Sequence, residues 1–513
     1  MTTGVPLLSL LIVLPAVTAG VIGLLRGRSS MRAVALAGTL VTFVVSLALL
    51  ARFTVGEPGF QLVERVAWVP EWGISYRLGV DGISLFLVLL TTLFMPLAVL
   101  AAWEQTERPK GFFVSLLAME AALVGVFCAL DLIVFYVFFE AQLVPMYALI
   151  GIWGGARRRY AAVKFFLYTL LGGLGMLVAI IYLYVRAGAQ TFEYEAFTAL
   201  QLSPTEQTWL FIAFFLAFAI KVPLFPLHTW LPDAHTEAPT VGSVLLAAVL
   251  LKIGGYGFLR YSLPFFPDAT VRLAPVMLTL GVIGVLYGAL VAMMQSDIKR
   301  LVAYSSVAHL GFVVLGAFAL NEIAVAGSVV QMVNHGLSTG ALFLLVGFMY
   351  DRTHSREIAE YSGIAKAAPI FAGLFLFTAM SSAALPGLGG FVGEFPILLG
   401  TFQTVRWAAV AAAFGVILAA LYLLWAYQRM FHGPVGGLAT GMTDLGAREI
   451  AVIAPLVALM LGIGLYPKPL YDRVNPSVAK VLNQVTVAQG GQPVRSPPAT
   501  GAAAPRVPAE EKP

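Results

Sequence analysis

Apolar stretches of about twenty residues recur along the whole chain, separated by short polar connections. They lie at 5–25, 33–51, 80–102, 112–130, 132–152, 162–185, 208–227, 241–262, 271–294, 300–320, 325–349, 368–400, 406–431 and 449–466. A helix rises 1.5 Å per residue, so about 20 apolar residues cross a hydrocarbon core roughly 30 Å thick. The pattern predicts an all-α polytopic membrane protein with about 14 transmembrane helices. The fourth and fifth runs meet at Asp131 with almost no loop, which demands a sharp turn at the membrane face. The first run lacks a basic leading region and a small-residue cleavage pattern, so it reads as an anchor and not as a signal peptide.

Composition sharpens this picture. Of 513 residues, 59% are hydrophobic and 11% charged, and the mean hydropathy is +0.89. Soluble domains carry about 25% charged residues, so a water-soluble globule is excluded. The single cysteine, Cys128, excludes a disulfide framework and any cysteine-ligated iron-sulfur or structural zinc site, which need several thiolates. A net charge of +5 and a pI near 9.2 do not indicate nucleic acid, because the basic residues are scattered among short loops. Loops after odd-numbered runs hold Arg26, Arg28, Arg32, Arg108, Lys110, Arg157, Arg158, Arg159, Lys164, Lys299, Arg300, Arg352, Arg356, Lys366, Arg429 and Arg448, whereas those after even-numbered runs hold Arg52, Arg65, Arg77, Arg186, Arg260, Arg272 and Arg406. Cytoplasmic loops retain positive charge, so both termini are expected on the non-cytoplasmic side. Residues 489–513 are proline-rich without apolar periodicity and are expected to be disordered.

A charged side chain at the centre of a span costs roughly 2.5 to 3.5 kcal/mol on insertion scales, which makes intramembrane ionisable groups functional candidates. Six stand out: Glu140, Lys221, Lys252, His309, His335 and Glu394. Glu140 follows Asp131 by nine residues, about 13 Å along a helix. Its bland alternative is a static ion pair that fixes helix packing. Lys221 precedes Pro223 and Pro226, which remove backbone donors and should break the helix just beyond it. Unwound backbone at membrane depth is tolerated only where it lines a cavity or is buried in protein. His228 and His235, towards the cytoplasmic end, read either as interface histidines or as a proton inlet. Lys252 is mid-span, ahead of Gly254 and Gly255. His309 and His335 travel with Ser305, Ser306, Asn334, Ser338 and Thr339, for which a satisfied core histidine is the alternative. Glu394 lies in a second interrupted run with Pro386, Gly387, Gly389, Gly390, Gly393 and Pro396.

The two interrupted spans, seven and twelve, lie five spans apart, so five-helix units over spans 4–8 and 9–13 have opposite orientations, the inverted-repeat pattern of transporters. The resulting organisation is 1–105 for the first three helices, 106–265 and 266–432 for the two repeats, 433–488 for helix 14 and its flank, and 489–513 for the tail. Making or breaking a buried pair such as Glu140 with Lys221 matches the roughly 2.3 kcal/mol needed to move a unit charge across 100 mV. The expected chemistry is a lateral proton relay through Lys221, Lys252 and the histidines, with Glu394 as the last site. A haem between His309 and His335 is the alternative from a different class of protein.

These residues lie in motifs of a known family. LGVDGISLFLVLLT, FYVFFEAQLVPMYALIG, FAIKVPLFPLHTWLPDAHTEAPTVGSVLLAAVLLKIGGYG, SDIKRLVAYSSVAHLGF and LPGLGGFVGEF resemble the antiporter-like membrane subunits of proton-pumping NADH-quinone oxidoreductase, respiratory complex I. The resemblance spans about residues 75–470 and is strongest to the M type. The L and N types resemble this chain but carry a lysine where Glu394 stands, and no long lateral helix is expected after span fourteen. The resemblance implies that Glu140 tunes Lys221, that Lys252 is a central-axis lysine and that Glu394 is the terminal proton site. It implies no cofactor in this chain, with flavin, iron-sulfur clusters and quinone in partner subunits. It also implies the other membrane-arm subunits, L and N above all, as partners, in a bacterial inner membrane. A sodium/proton antiporter subunit, or the equivalent subunit of a ferredoxin- or F420-linked complex, is the alternative. The arginine-rich GGARRRY loop and the tail depart from the family pattern.

Overall fold

The computed structural model describes residues 5–488 and residue 490; the tail at 489–513 otherwise lies outside the described residues. Among the described residues, eleven helices are long and apolar enough to cross a membrane, including Leu7–Leu24, Arg28–Arg52, Pro109–Cys128, Leu132–Trp153, Arg158–Arg186 and Thr240–Phe265. Leu85–Ala101 and Pro369–Ser382 are shorter apolar helices, and Pro204–Lys221 and Gly389–Thr404 accompany them. The chain is thus a multi-pass helical membrane protein.

Local chemistry sets the helix ends. At the expected sharp turn, the Asp131 carboxylate accepts from the Ile133 and Val134 amides at 3.0 and 3.3 Å, capping the next helix, and also from the Ser75 amide at 3.0 Å. Asp297 and Asn321 cap helices Ile298–Phe318 and Glu322–Thr353 in the same way. An N-cap side chain satisfies donors that the helix itself leaves unpaired.

One departure from an all-α reading is clear. Residues Gln61–Val69 and Ile74–Val80 form an antiparallel hairpin, with Arg65 opposite Arg77 and Val66 opposite Tyr76. Its strand Ile74–Val80 takes the start of the apolar run at 80–102, so the helix begins only at Leu85. In strand Ile74–Val80 the apolar and aromatic Ile74, Tyr76, Leu78 and Val80 alternate with Ser75, Arg77 and Gly79, a composition that suits a strand. The flank after residue 466, which carries no apolar run of spanning length, folds as an amphipathic helix over Lys468–Ala488.

Hairpin and flanking helix clamp the same region. Asp81, just past the hairpin, pairs with Arg260 at 2.5 Å; both are almost fully buried. Arg260 also donates to the Tyr256 hydroxyl at 3.2 Å and lies 4.8 Å from the Phe60 ring. Lys480 of the amphipathic helix covers that ring from 5.5 Å, and Ser477 Oγ accepts from the Gly82 amide at 3.0 Å. The Tyr471 hydroxyl donates to the Val392 carbonyl at 2.7 Å, so one surface helix bridges the Lys252 and Glu394 helices.

Removing one partner of a buried ion pair leaves an uncompensated charge, at about 3–5 kcal/mol. Arg260→Ala is expected to destabilise the protein by that amount in thermal unfolding of the detergent-solubilised chain, and the double variant Asp81→Ala/Arg260→Met to recover most of the loss. A Cβ on Gly254 would stand 2.5 Å from the Phe218 carbonyl oxygen and 2.7 Å from the Val222 amide nitrogen, whereas one on Gly462 meets nothing. Gly254→Ala should therefore cost about 1–3 kcal/mol through overpacking, while Gly462→Ala gains helix propensity; the same melting experiment compares them.

Candidate functional site

Helix Pro204–Lys221 ends at Lys221, residues 222–229 are non-helical, and helix resumes at Trp230–Glu237. This is the break that the prolines dictate. The Trp230 indole N–H donates to the Ile220 carbonyl at 2.9 Å, satisfying one acceptor that the interruption frees. Lys221 is 1% exposed and its ammonium has no hydrogen-bond partner. It lies 5.1 Å from the Phe139 ring centre and 5.8 Å from that of Phe165, so aromatic faces replace hydrogen bonds around it.

Glu140 is half-buried near the end of helix Leu132–Ala141. Its carboxylate rests on Gly173, where a Cβ would come within 1.7 Å of Oε1, and that oxygen has no partner. Among the described residues no ion pair joins Glu140 to Lys221. The expected direct pair is not made because Glu140 leans on the Arg158–Arg186 helix while the lysine sits against the ring of Phe139. His228 is buried between Phe225, at 5.8 Å, and Tyr287, at 5.1 Å between ring centres. His235 is fully buried, stacked on Phe343 at 4.5 Å, with neither ring nitrogen partnered.

The other four candidates come together. Lys252 is 0% exposed in the span Thr240–Phe265, directly after a π-helical turn over Leu246–Leu250. A π-turn displaces carbonyls from the regular ladder and is frequent at functional sites. Here the Ala247 carbonyl accepts from the Lys252 ammonium, which also contacts His335 Nδ1 at 2.6 Å. The His335 and His309 rings are 5.8 Å apart. His309 Nδ1 then meets Glu394 Oε1 at 2.6 Å. Glu394 is 1% exposed and stands in helix Gly389–Thr404, beyond the interruption at residues 383–388. With His309 Nδ1 on the glutamate and Nε2 facing Ser382 and Tyr422, each at 3.3 Å, no nitrogen of that histidine is open to a haem iron.

Several groups around this chain escaped sequence reasoning. Gln331 Nε2 donates to the same Glu394 oxygen at 2.7 Å, so Oε1 faces both Gln331 and His309. Gln331 lies four residues before His335, on the same helix face, and that spacing is its only signal. The hydroxyls of Ser382 and Tyr422 come from separate helices and carry none. Glu120 is 0% exposed in helix Pro109–Cys128 with both carboxylate oxygens unpartnered; its mid-run position meets the rule that selected Glu140. Asp81 and Arg260 lie at the edges of their runs and pass as loop charges.

Comparison with known proteins places this geometry in a family. Residues 129–421 match the transmembrane family described as NADH:quinone oxidoreductase/Mrp antiporter. NADH-quinone oxidoreductase subunit M of Rhodobacter capsulatus is 48% identical over 495 residues, covering 93% of this chain and 96% of its own. Subunit M of Mycobacterium tuberculosis is 43% identical over 508 residues, covering 90% and 91%. Among solved structures, a chain of respiratory complex I from Thermus thermophilus with bound NADH superposes with a TM-score of 0.85 at 35% identity, over 93% of this chain and 99% of that one. A chain of the Mrp complex from Dietzia, at 22% identity and a TM-score of 0.82 over 95% and 99%, shares the fold. The chain belongs to the NADH:quinone oxidoreductase/Mrp antiporter family, and within it to the antiporter-like membrane-arm subunits of M type.

Proposed function

We propose that this chain translocates protons across a bacterial inner membrane as a membrane-arm subunit of NADH-quinone oxidoreductase. The observation that carries the reading is the succession of buried side chains in which Lys252 meets His335, the His335 and His309 rings lie 5.8 Å apart, and His309 meets Glu394. In this reading Glu140 and Lys221 form the first site, His228 lies at a proton inlet, Lys252 is the hub and Glu394 the last holder before release. The chain makes about fourteen crossings with both termini on the non-cytoplasmic side. Two inverted five-helix units bring the interrupted helices of Lys221 and Glu394 to equivalent places.

The chemistry follows from the contacts. Lys252 Nζ passes its proton to His335 Nδ1, and the proton on His335 Nε2 crosses through intervening water to His309 Nε2. His309 Nδ1–H in turn donates to Glu394 Oε1. The carbonyl of Ala247 and the amide of Gln331 hold the two ends in register in both protonation states, because neither titrates. Quinone reduction, flavin and iron-sulfur chemistry belong to partner subunits, and the L and N subunits are the expected lateral neighbours. Energy for moving the charge, roughly 2.3 kcal/mol per 100 mV, comes from electron transfer in those partners.

The test is proton uptake by vesicles holding the intact complex, driven by NADH. Lys252→Ala and Glu394→Gln are each expected to lower the protons moved per unit time by about tenfold or more, a barrier increase of about 1.4 kcal/mol, in sodium-free medium. Normal uptake in both variants overturns the proposal, and uptake that requires sodium assigns the chain to the antiporter reading instead. Gln331→Leu, which removes one donor from Glu394 but leaves His309 in place, should produce a smaller loss in the same assay.

A further inference from the structure

The contacts that join Lys252 to Glu394 do not extend back to Lys221, yet a buried carboxyl lies at the depth of that gap. Glu120 is completely enclosed, and neither of its oxygens meets a donor in the protein. Its position follows from two packing contacts. The Phe127 and Tyr256 rings meet at 5.3 Å, and the Tyr256 hydroxyl donates to the Phe127 carbonyl at 3.3 Å, which sets helix Pro109–Cys128 against the span Thr240–Phe265. Both begin after odd-numbered spans, so they run the same way. Glu120 is seven residues before Phe127 and Lys252 four before Tyr256, which leaves the two about 4.5 Å apart along the axis. Seven residues return a helix to nearly the same face, so Glu120 projects from the face that Phe127 turns to the Lys252 helix.

The second contact links the same level to another irregular point. Gly125 packs on the Phe138 ring, and the helix of Phe138 runs the opposite way. Gln142, four residues beyond Phe138, is therefore level with Ala121, next to Glu120. Helix Leu132–Ala141 stops at Gln142, whose side chain is 0% exposed with Oε1 unpartnered. Gly254 packs on the Phe218 carbonyl and the Val222 amide, which brings Lys221 to within about one turn of the same depth. Glu120 thus sits where a helix break, a π-turn and two lysines share one level.

A buried ionised carboxylate without partners is costly, and such groups persist as the neutral acid. We propose that Glu120 is a proton-carrying residue of the translocation path, linking Lys221 to Lys252. Intervening water carries each proton: the Glu120 O–H bond breaks as it protonates a water that releases a proton to neutral Lys252, forming an N–H bond there; an N–H bond of the Lys221 ammonium then breaks and, through water in the same way, the Glu120 O–H re-forms. One proton advances and the carboxyl returns to its starting state. The inference rests on the proton-translocating reading above.

The experiment uses the intact complex in vesicles and in hydrated films. Infrared spectra of wild type minus Glu120→Gln should show the carbonyl band of a neutral carboxylic acid at neutral pH. Proton uptake should fall about tenfold in Glu120→Gln and in Glu120→Leu, and Glu120→Asp should recover most of it. Because Glu120 has no partner to lose, Glu120→Leu is expected to assemble normally, which keeps the assay available if the glutamine variant does not. A missing band, or wild-type uptake in whichever of these variants assembles, overturns the assignment. Wild-type uptake there with loss in Lys252→Ala overturns only the role of Glu120, whereas normal uptake in both removes the translocation reading as well.

Discussion

The constraint on which the structure depends is that hydrocarbon offers no partner to a charge or to an unpaired backbone group. An ionisable side chain in the bundle must therefore find its partner within the protein or be buried uncharged. Lys252 shows the solution most plainly. The π-turn before it releases the Ala247 carbonyl, and that carbonyl accepts from the ammonium. A regular helix would have kept the carbonyl for its own ladder. Irregular backbone and buried charge are one feature here, since each satisfies the other.

The two halves of the site use this solution differently. Around Glu394, two helices supply polar partners, and its Oε1 is held by His309 and Gln331 together. Around Lys221 the break is equally sharp, but the ammonium faces the rings of Phe139 and Phe165 and the nearest carboxylate, Glu140, rests on another helix. Glu394 Oε1 is held by two neighbours while its Oε2 has none, whereas the Lys221 ammonium, held by ring faces alone, keeps its whole hydrogen-bonding capacity for a changing partner. The asymmetry suits a path with a mobile first station and an ordered last one.

Support for the path comes from outside the membrane-spanning runs. The hairpin ends at Asp81, which fixes Arg260 on the Lys252 helix, and the amphipathic helix Lys468–Ala488 covers this pair while Tyr471 reaches the Glu394 helix. Two helices that carry the ends of the histidine chain are thus tied to one surface element. A shift of that element would be felt at both ends together.

The linear pattern of apolar runs and prolines determined much of this. It dictated the membrane-spanning segments, the turn at Asp131, the break after Lys221, the interruption before Glu394 and the choice of buried ionisable groups, because each is a local consequence of hydropathy or of a missing backbone donor. The hairpin was hidden, since its nine- and seven-residue strands are too short to register against runs of twenty. Glu120 was legible by the rule that selected Glu140 and was passed over. Only tertiary structure decided that Lys252 meets His335 and His309 meets Glu394 with the two histidine rings side by side, that Gln331, Ser382 and Tyr422 surround them, and that Glu140 and Lys221 make no direct ion pair. Depth in a membrane is written along the chain at 1.5 Å per residue; which helix faces which is set by side-chain packing between segments distant in sequence, and no local pattern records it.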